Sequence, residues 1–334
     1  MGTASTLAGP AGAKPAGPVS RSKALLRRLR SGDEIAHLIT LIFAASILLV
    51  TALLVYQLWI HSQVSRAQFG WGFFGTSTWD PVFGNFGAWP FIYGTLVTTA
   101  VALFVAVPLG LGAAIFLSEL APPKLSSNLS FVIDLLAAVP SVIYGVLGIF
   151  TLVPLMRTTI QPFLKKTLGF LPLFQGPAYG IGFLTAGLVL AIMIVPFIIS
   201  VSREVLLAVP RDQREASLGL GATRWETTWK VVVTYARTGI LGSIFLSMAR
   251  ALGETMAVTL VIGNAPKVAA SLFSPGYSIA AVIANEFTEA TGSLYLSSLI
   301  ELGLVLFLLT FVLNGLARLL IILTARRGAG VGNA

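Results

Sequence analysis

Arg250 and Glu254 stand four residues apart inside an apolar run, residues 238–262. At helical spacing they share one face, with Glu254 about 6 Å further along the axis. Counted from residue 238, Arg250 lies about 18 Å along, near the middle of a membrane-spanning helix. A charge at that depth costs about 2.5–3.5 kcal/mol on insertion scales. The face carrying it therefore looks into a helix bundle or a wet cavity, not into lipid. Two kinds of chemistry fit. The pair can be a structural ion bridge that fixes helix packing. Alternatively, the planar fork of Arg250 can donate two parallel hydrogen bonds to an oxyanion. Glu254 would then hold the guanidinium ready, or repel anions until a gate opens. Such a site has to be weak, because a tight one would trap the ion.

Other polar residues in apolar surroundings rank below this pair. Glu301, two turns into the run 293–324, is the next candidate for an interior partner. Ser141 and Tyr144 follow Pro140, where a broken helix frees backbone groups that can line a cavity; simple packing is the alternative for both. Asp134 and Glu119 fall near helix ends, within reach of solvent or loop arginines. Thr98 and Thr99 are expected to bond back to their own helix. Enzyme chemistry finds little footing. The chain has no cysteine, so disulfides, thiolate metal sites and Cys nucleophiles are excluded. No lysine follows a glycine, so there is no phosphate-cradling P-loop. His37 and His61 flank the first apolar run and read as interfacial residues, and no His, Asp and Glu cluster has metal-ligand spacing.

The elements that must position these residues are long apolar helices. Of the 334 residues, 56% are hydrophobic and 10% charged, against about 25% charged in soluble domains. The spacing predicts an all-α integral membrane protein with six spans near 35–60, 90–120, 129–156, 178–202, 238–262 and 293–324. The first is too long for a signal-peptide core of about 7–15 residues. Pro108, Pro140 and Pro196 are expected to kink or interrupt their helices. Residues 1–34 read as a disordered, then basic, tail ahead of the transmembrane domain at 35–324, and 325–334 as a second tail. Residues 61–89 carry Trp71, Phe73, Phe74, Trp79, Phe83, Phe86 and Trp89. They read as an external loop with an interfacial aromatic belt, a ligand cage being the alternative. The short apolar piece 279–284 cannot span and is re-entrant or interfacial.

The net charge is +9. Lys and Arg gather in the N-terminal tail, the loop 203–237 and the C-terminal end, and are sparse in the other long loops. That asymmetry places both termini in the cytoplasm of a multi-pass plasma-membrane protein. It also explains the charge better than nucleic-acid binding does.

The loop 203–237 is the longest charged stretch. Pro210 and Asp212 can start a short helix, and Gly219 and Gly221 can stop it with a left-handed cap. A second helix then leads into the fifth span. Glu215-Ala216-Ser217, followed by Gly219 within Leu-Gly-Leu-Gly-Ala-Thr, resembles the EAA loop of ATP-binding-cassette importer permeases, with Ser217 where a second Ala is usual. Two further runs narrow the resemblance. They are Arg250-Ala251-Leu252-Gly253-Glu254-Thr255-Met256-Ala257-Val258 and Ala138-Val139-Pro140-Ser141-Val142-Ile143-Tyr144-Gly145. Both resemble the permease subunits of phosphate-specific importers, and the similarity covers the six spans.

The resemblance implies a fold, partners and roles. Arg214, Glu215, Ala216, Ser217, Gly219 and Gly221 would form the loop that couples to an ATPase. The partners would be a second permease, two cytosolic ATPase subunits that bind ATP and Mg, and an external phosphate-binding protein. This chain would bind no cofactor itself. Arg250, Glu254, Glu301, Ser141 and Tyr144 would line the phosphate path. A permease for sulfate or molybdate, the partner permease of the same importer, and a secondary anion transporter are the competing readings.

Overall fold

The computed structural model describes residues 33–329, so the expectations for residues 1–32 and 330–334 lie outside the described residues. The described chain divides into two units, 33–57 and 58–329. The first consists of the N-terminal part of α1 (Asp33–His61). It is apolar all round, and Thr40, Ser46 and Thr51 donate to carbonyls one turn back, at 2.8, 2.8 and 2.9 Å. A helix that satisfies its own polar groups and shows only hydrocarbon outward is suited to lipid.

The second unit opens with α2 (Gln63–Phe69) and α3 (Gly72–Gly75). Next come α4 (Trp89–Leu120), α5 (Pro123–Ala137), α6 (Ser141–Leu168) and α7 (Phe183–Leu207). After these run α8 (Arg211–Gly219), α9 (Arg224–Leu252), α10 (Met256–Ile262), α11 (Ile279–Glu286) and α12 (Ser293–Ala329). Six helices, α1, α4, α6, α7, α9 and α12, are long and apolar enough to cross a membrane. The fold is all-α, and no strand occurs among the described residues.

Four spans depart from the sequence expectation, three of them for a local reason. The third does not run over 129–156. Pro140 adopts an extended conformation and cannot donate to a preceding turn, so α5 stops and α6 starts afresh at Ser141. The Lys165–Lys166 stretch then joins α6 instead of a loop. The fourth starts at Phe183, not 178. Gly180 and Gly182 sit at φ +83 and +137, and a Cβ on Gly182 would meet the Ser274 carbonyl oxygen at 2.6 Å. The fifth begins fourteen residues early, at Arg224, because Thr223 and Glu226 form a capping box. It also ends early, at Leu252. The last helix continues past 324 to Ala329.

Helix α7 is the hub. Its Ala186, Leu190, Ile194 and Ile198 are buried against Ala102 and Ala106 of α4, and small side chains allow that close approach. A second core lies under the 61–89 segment. Here the belt expectation needs correction. Trp71 and Phe83 are exposed, but Phe73, Phe86 and Phe91 are fully buried beside the buried Tyr277, with Trp79 and Tyr295 partly buried against them. Trp79 meets Phe86 and Phe91 edge-on at 4.8 Å in each case, and Phe86 stacks on Tyr295 at 5.3 Å. Glu286 at the end of α11 locks this cluster by accepting from Trp79 Nε1 at 2.8 Å and Tyr295 Oη at 2.7 Å. Burial pushes the neighbouring Tyr277 phenol up to about 12, so it stays neutral while accepting from Asn285 at 3.0 Å.

Candidate functional site

Two helix breaks adjoin segments of the second unit that pack on each other. The first is Val139–Pro140, between α5 and α6. The second is Gly253–Thr255, between α9 and α10. Helix α10 packs on the start of α6, and Gly145 makes this possible. A Cβ there would stand 3.0 Å from the Ala257 Cα and 2.7 Å from the Leu260 side chain. Tyr144 spans the first break by donating to the Leu136 carbonyl at 2.7 Å, and Ser141 begins α6 beside it.

Arg250 occupies the last turn of α9, where a positive charge complements the helix dipole. It is exposed, and its guanidinium stands 5.8 Å from the Phe197 ring. Glu254 does not pair with it. The chain leaves the helix at Gly253, so the two no longer share a helical face. Instead the Glu254 carboxylate accepts from the Ala257 N–H at 3.2 Å and caps α10. The expected direct Arg250–Glu254 bridge is therefore absent among the described residues, and a break replaces the continuous helix that spacing alone implied. Broken helices of this kind are tolerated at membrane depth only where backbone is buried or lines a cavity.

The structure brings Arg250, Glu254, Tyr144 and Ser141 to one place and leaves Glu301 out of it. Glu301, 2% exposed, faces a separate cavity beside Arg66, Trp59 and Leu308. Sequence reasoning missed Phe197 and Arg66; nothing in linear spacing ties either to its neighbour. The threonines divide. Thr98 donates to Gly94 at 2.7 Å as expected, whereas the buried Thr99 hydroxyl has no partner among the described residues.

The predicted coupling loop is a short helix on a fixed tether. Helix α8 is N-capped by the extended Pro210, and Asp212 sits in its first turn. Glu215, Ala216 and Gly219 are exposed, and Ser217 shares a hydrogen bond with Thr227 of α9 at 3.0 Å. Gly219 stays helical; Gly221 alone takes the left-handed turn, at φ +87. Arg214 is the tether. It bonds both Glu119 oxygens, at 2.8 and 3.2 Å, the Leu206 carbonyl at 2.8 Å, and the Val209 carbonyl. One side chain thus ties α8 to the ends of α4 and α7. Around it Leu218, Leu220, Trp225 and Trp229 are exposed.

A bundle of broken spans with an exposed, tethered helix defines a transport permease. The chain belongs to the family described as binding-protein-dependent transport system inner membrane component, whose model matches residues 106–321. The phosphate transport system permease protein PstC of Mesorhizobium japonicum is 46% identical over 93% of this chain and 98% of its own length. The protein of the same name from Pasteurella multocida is 51% identical over 84% of this chain and 89% of its own. The probable phosphate transport system permease protein PstC of Methanocaldococcus jannaschii is 39% identical over 87% and 93%. Among solved structures, an inward-facing chain of the MetNI methionine ABC transporter superposes with TM-score 0.52 at 18% identity. It covers 74% of this chain and 99% of that one. That likeness concerns the fold.

Proposed function

We propose that this chain is a permease subunit of an ATP-driven phosphate importer, and that Arg250 contacts the anion in transit. The observation that carries the site is the placement of Arg250. It is exposed at a break between two apolar helical segments. An arginine there cannot face hydrocarbon cheaply, so it faces the rest of the assembly or water. Its unengaged fork matches a phosphate oxygen pair. The relatives named for phosphate transport, similar over nearly their whole length, support phosphate as the cargo.

The remaining roles follow from that reading. A second, similar permease completes the path across the face that Arg250 presents. Two cytosolic ATPase subunits, carrying ATP and Mg, seat α8 and its exposed apolar neighbours. An external phosphate-binding protein delivers the cargo. Both termini lie in the cytoplasm, on the side of α8. This chain hydrolyses nothing itself. ATP-driven closure of the ATPase pair pushes α8. The Arg214 tether passes that movement to α4 and α7, and the break at Arg250 rearranges with them. Glu254 acts as the cap that positions the break, and Tyr144 and Ser141 line it.

Uptake of labelled phosphate, sulfate and molybdate by phosphate-starved cells with and without the chain tests the assignment. Selective loss of phosphate uptake, restored by the wild-type chain, is the expected result. Loss of sulfate or molybdate uptake instead would keep the architecture and discard the cargo. A chain that transports without a co-purifying ATPase would be a secondary carrier.

A further inference from the structure

The cavity that holds Glu301 lies between the end of α1, the segment α2–α3 and α12, and has a volume of about 320 Å³. Its polar chemistry is confined to two side chains. Glu301 is 2% exposed, and its Oε2 has no hydrogen-bond partner among the described residues. A buried carboxylate oxygen left in this state needs a donor. Arg66 is the second. Its guanidinium lies flat over Trp59, 3.6 Å from the ring centre, and is anchored by Ser62 Oγ at 3.0 Å and the Trp59 carbonyl. Those contacts fix the plane of the fork and leave further N–H groups unengaged. Glu301 and Arg66 do not form an ion pair with each other among the described residues.

The rest of the wall is apolar: Trp59, Trp71, Leu304 and Leu308, of which Trp71 is 89% and Leu308 50% exposed. Glu301 is eight residues into α12, about 12 Å along its axis, and it stands beside Trp59 and Trp71, at the level set by lipid headgroups in this proposal. Tryptophans gather at that level. The cavity therefore offers one fixed cation, one buried anion short of a donor, and a hydrocarbon wall. The complementary molecule carries a phosphate, an N–H-bearing ammonium and acyl chains.

We propose that this cavity binds one phosphatidylethanolamine molecule. Arg66 takes the phosphate, Glu301 Oε2 accepts from the ammonium, and an acyl chain lies along Leu304 and Leu308. The site is separate from the Arg250 break and depends only on the chain being a membrane protein, not on its cargo.

The test uses the full chain purified with its co-expressed partner subunits in mixed micelles. Bound lipid is counted by native mass spectrometry. Wild type is expected to retain phosphatidylethanolamine over phosphatidylglycerol, which lacks the ammonium, and over phosphatidylcholine, whose ammonium has no N–H. Glu301→Gln and Arg66→Gln should each lower retention roughly tenfold, the loss of one charge-assisted hydrogen bond. Excess inorganic phosphate should not displace the lipid. Equal retention of the three lipids, unchanged retention in both variants, or displacement by phosphate alone would overturn the proposal. If the variants do not fold, wild-type melting decides. Phosphatidylethanolamine should raise the melting temperature more than phosphatidylglycerol does, and an equal effect would overturn it.

Discussion

Arg214 and Arg250 lie on neighbouring helices of the same unit and differ in what meets their guanidinium groups. Arg214 is largely enclosed and bonded on every side, to a carboxylate and two carbonyls. Arg250 is exposed and has an aromatic ring at 5.8 Å. An arginine with four of its five N–H groups engaged holds elements together. One with donors left over among the described residues is available to a partner that comes and goes. On the proposed function, the same residue type serves as a strut in one place and as a contact for cargo in the other. Burial and partners, not charge, distinguish them.

That contrast can be broken or sharpened by substitution. The largest effect is expected for Arg250→Glu. Reversing the charge at the break should lower phosphate uptake about a hundredfold or more, two charge-assisted bonds' worth, with membrane abundance unchanged on immunoblots. Arg214→Ala should act in the opposite register. Removing the strut leaves Glu119 alone and should cost about 2–3 kcal/mol. The cost would be read as a lower melting temperature and a smaller fraction of chain retained with the ATPase. Gly145→Ala tests whether the two breaks must touch. Its Cβ has no room against Ala257, and overpacking of about 1–3 kcal/mol is expected, with uptake falling further than abundance. Thr223→Ala removes the capping box of α9 and should cost about 1 kcal/mol, visible in melting and not in the choice of anion.

The six-span count and the importer resemblance were legible because they rest on local signals: apolar run length, proline positions, and runs such as 250–258. The Thr223–Glu226 capping box was legible too. Its pattern of Thr, two residues, then Glu is a start signal, and it would have moved the fifth helix back to Arg224. The break at Gly253 was harder. A single glycine inside an apolar run is tolerated in many helices, and only the packing of α10 on Gly145 shows why the chain leaves the helix there. The surroundings of Glu301 were not legible because its neighbours, Arg66 and Trp59, come from the far end of the sequence. The aromatics of 61–89 were misjudged for a related reason. A belt and a buried cluster share one composition, and only partners such as Tyr295 and Glu286 separate them.

The central claim is that Arg250 touches the anion in transit. The direct measurement is ATP-driven uptake of labelled phosphate into vesicles by the assembled complex carrying Arg250→Ala, normalised to the amount of complex and compared with Arg214→Ala. Arg250→Ala should assemble normally and fail to transport. Arg214→Ala should assemble poorly, and each complex that does assemble should also transport less, because the tether to α4 and α7 is lost. Undiminished uptake per assembled complex with Arg250→Ala would contradict the account.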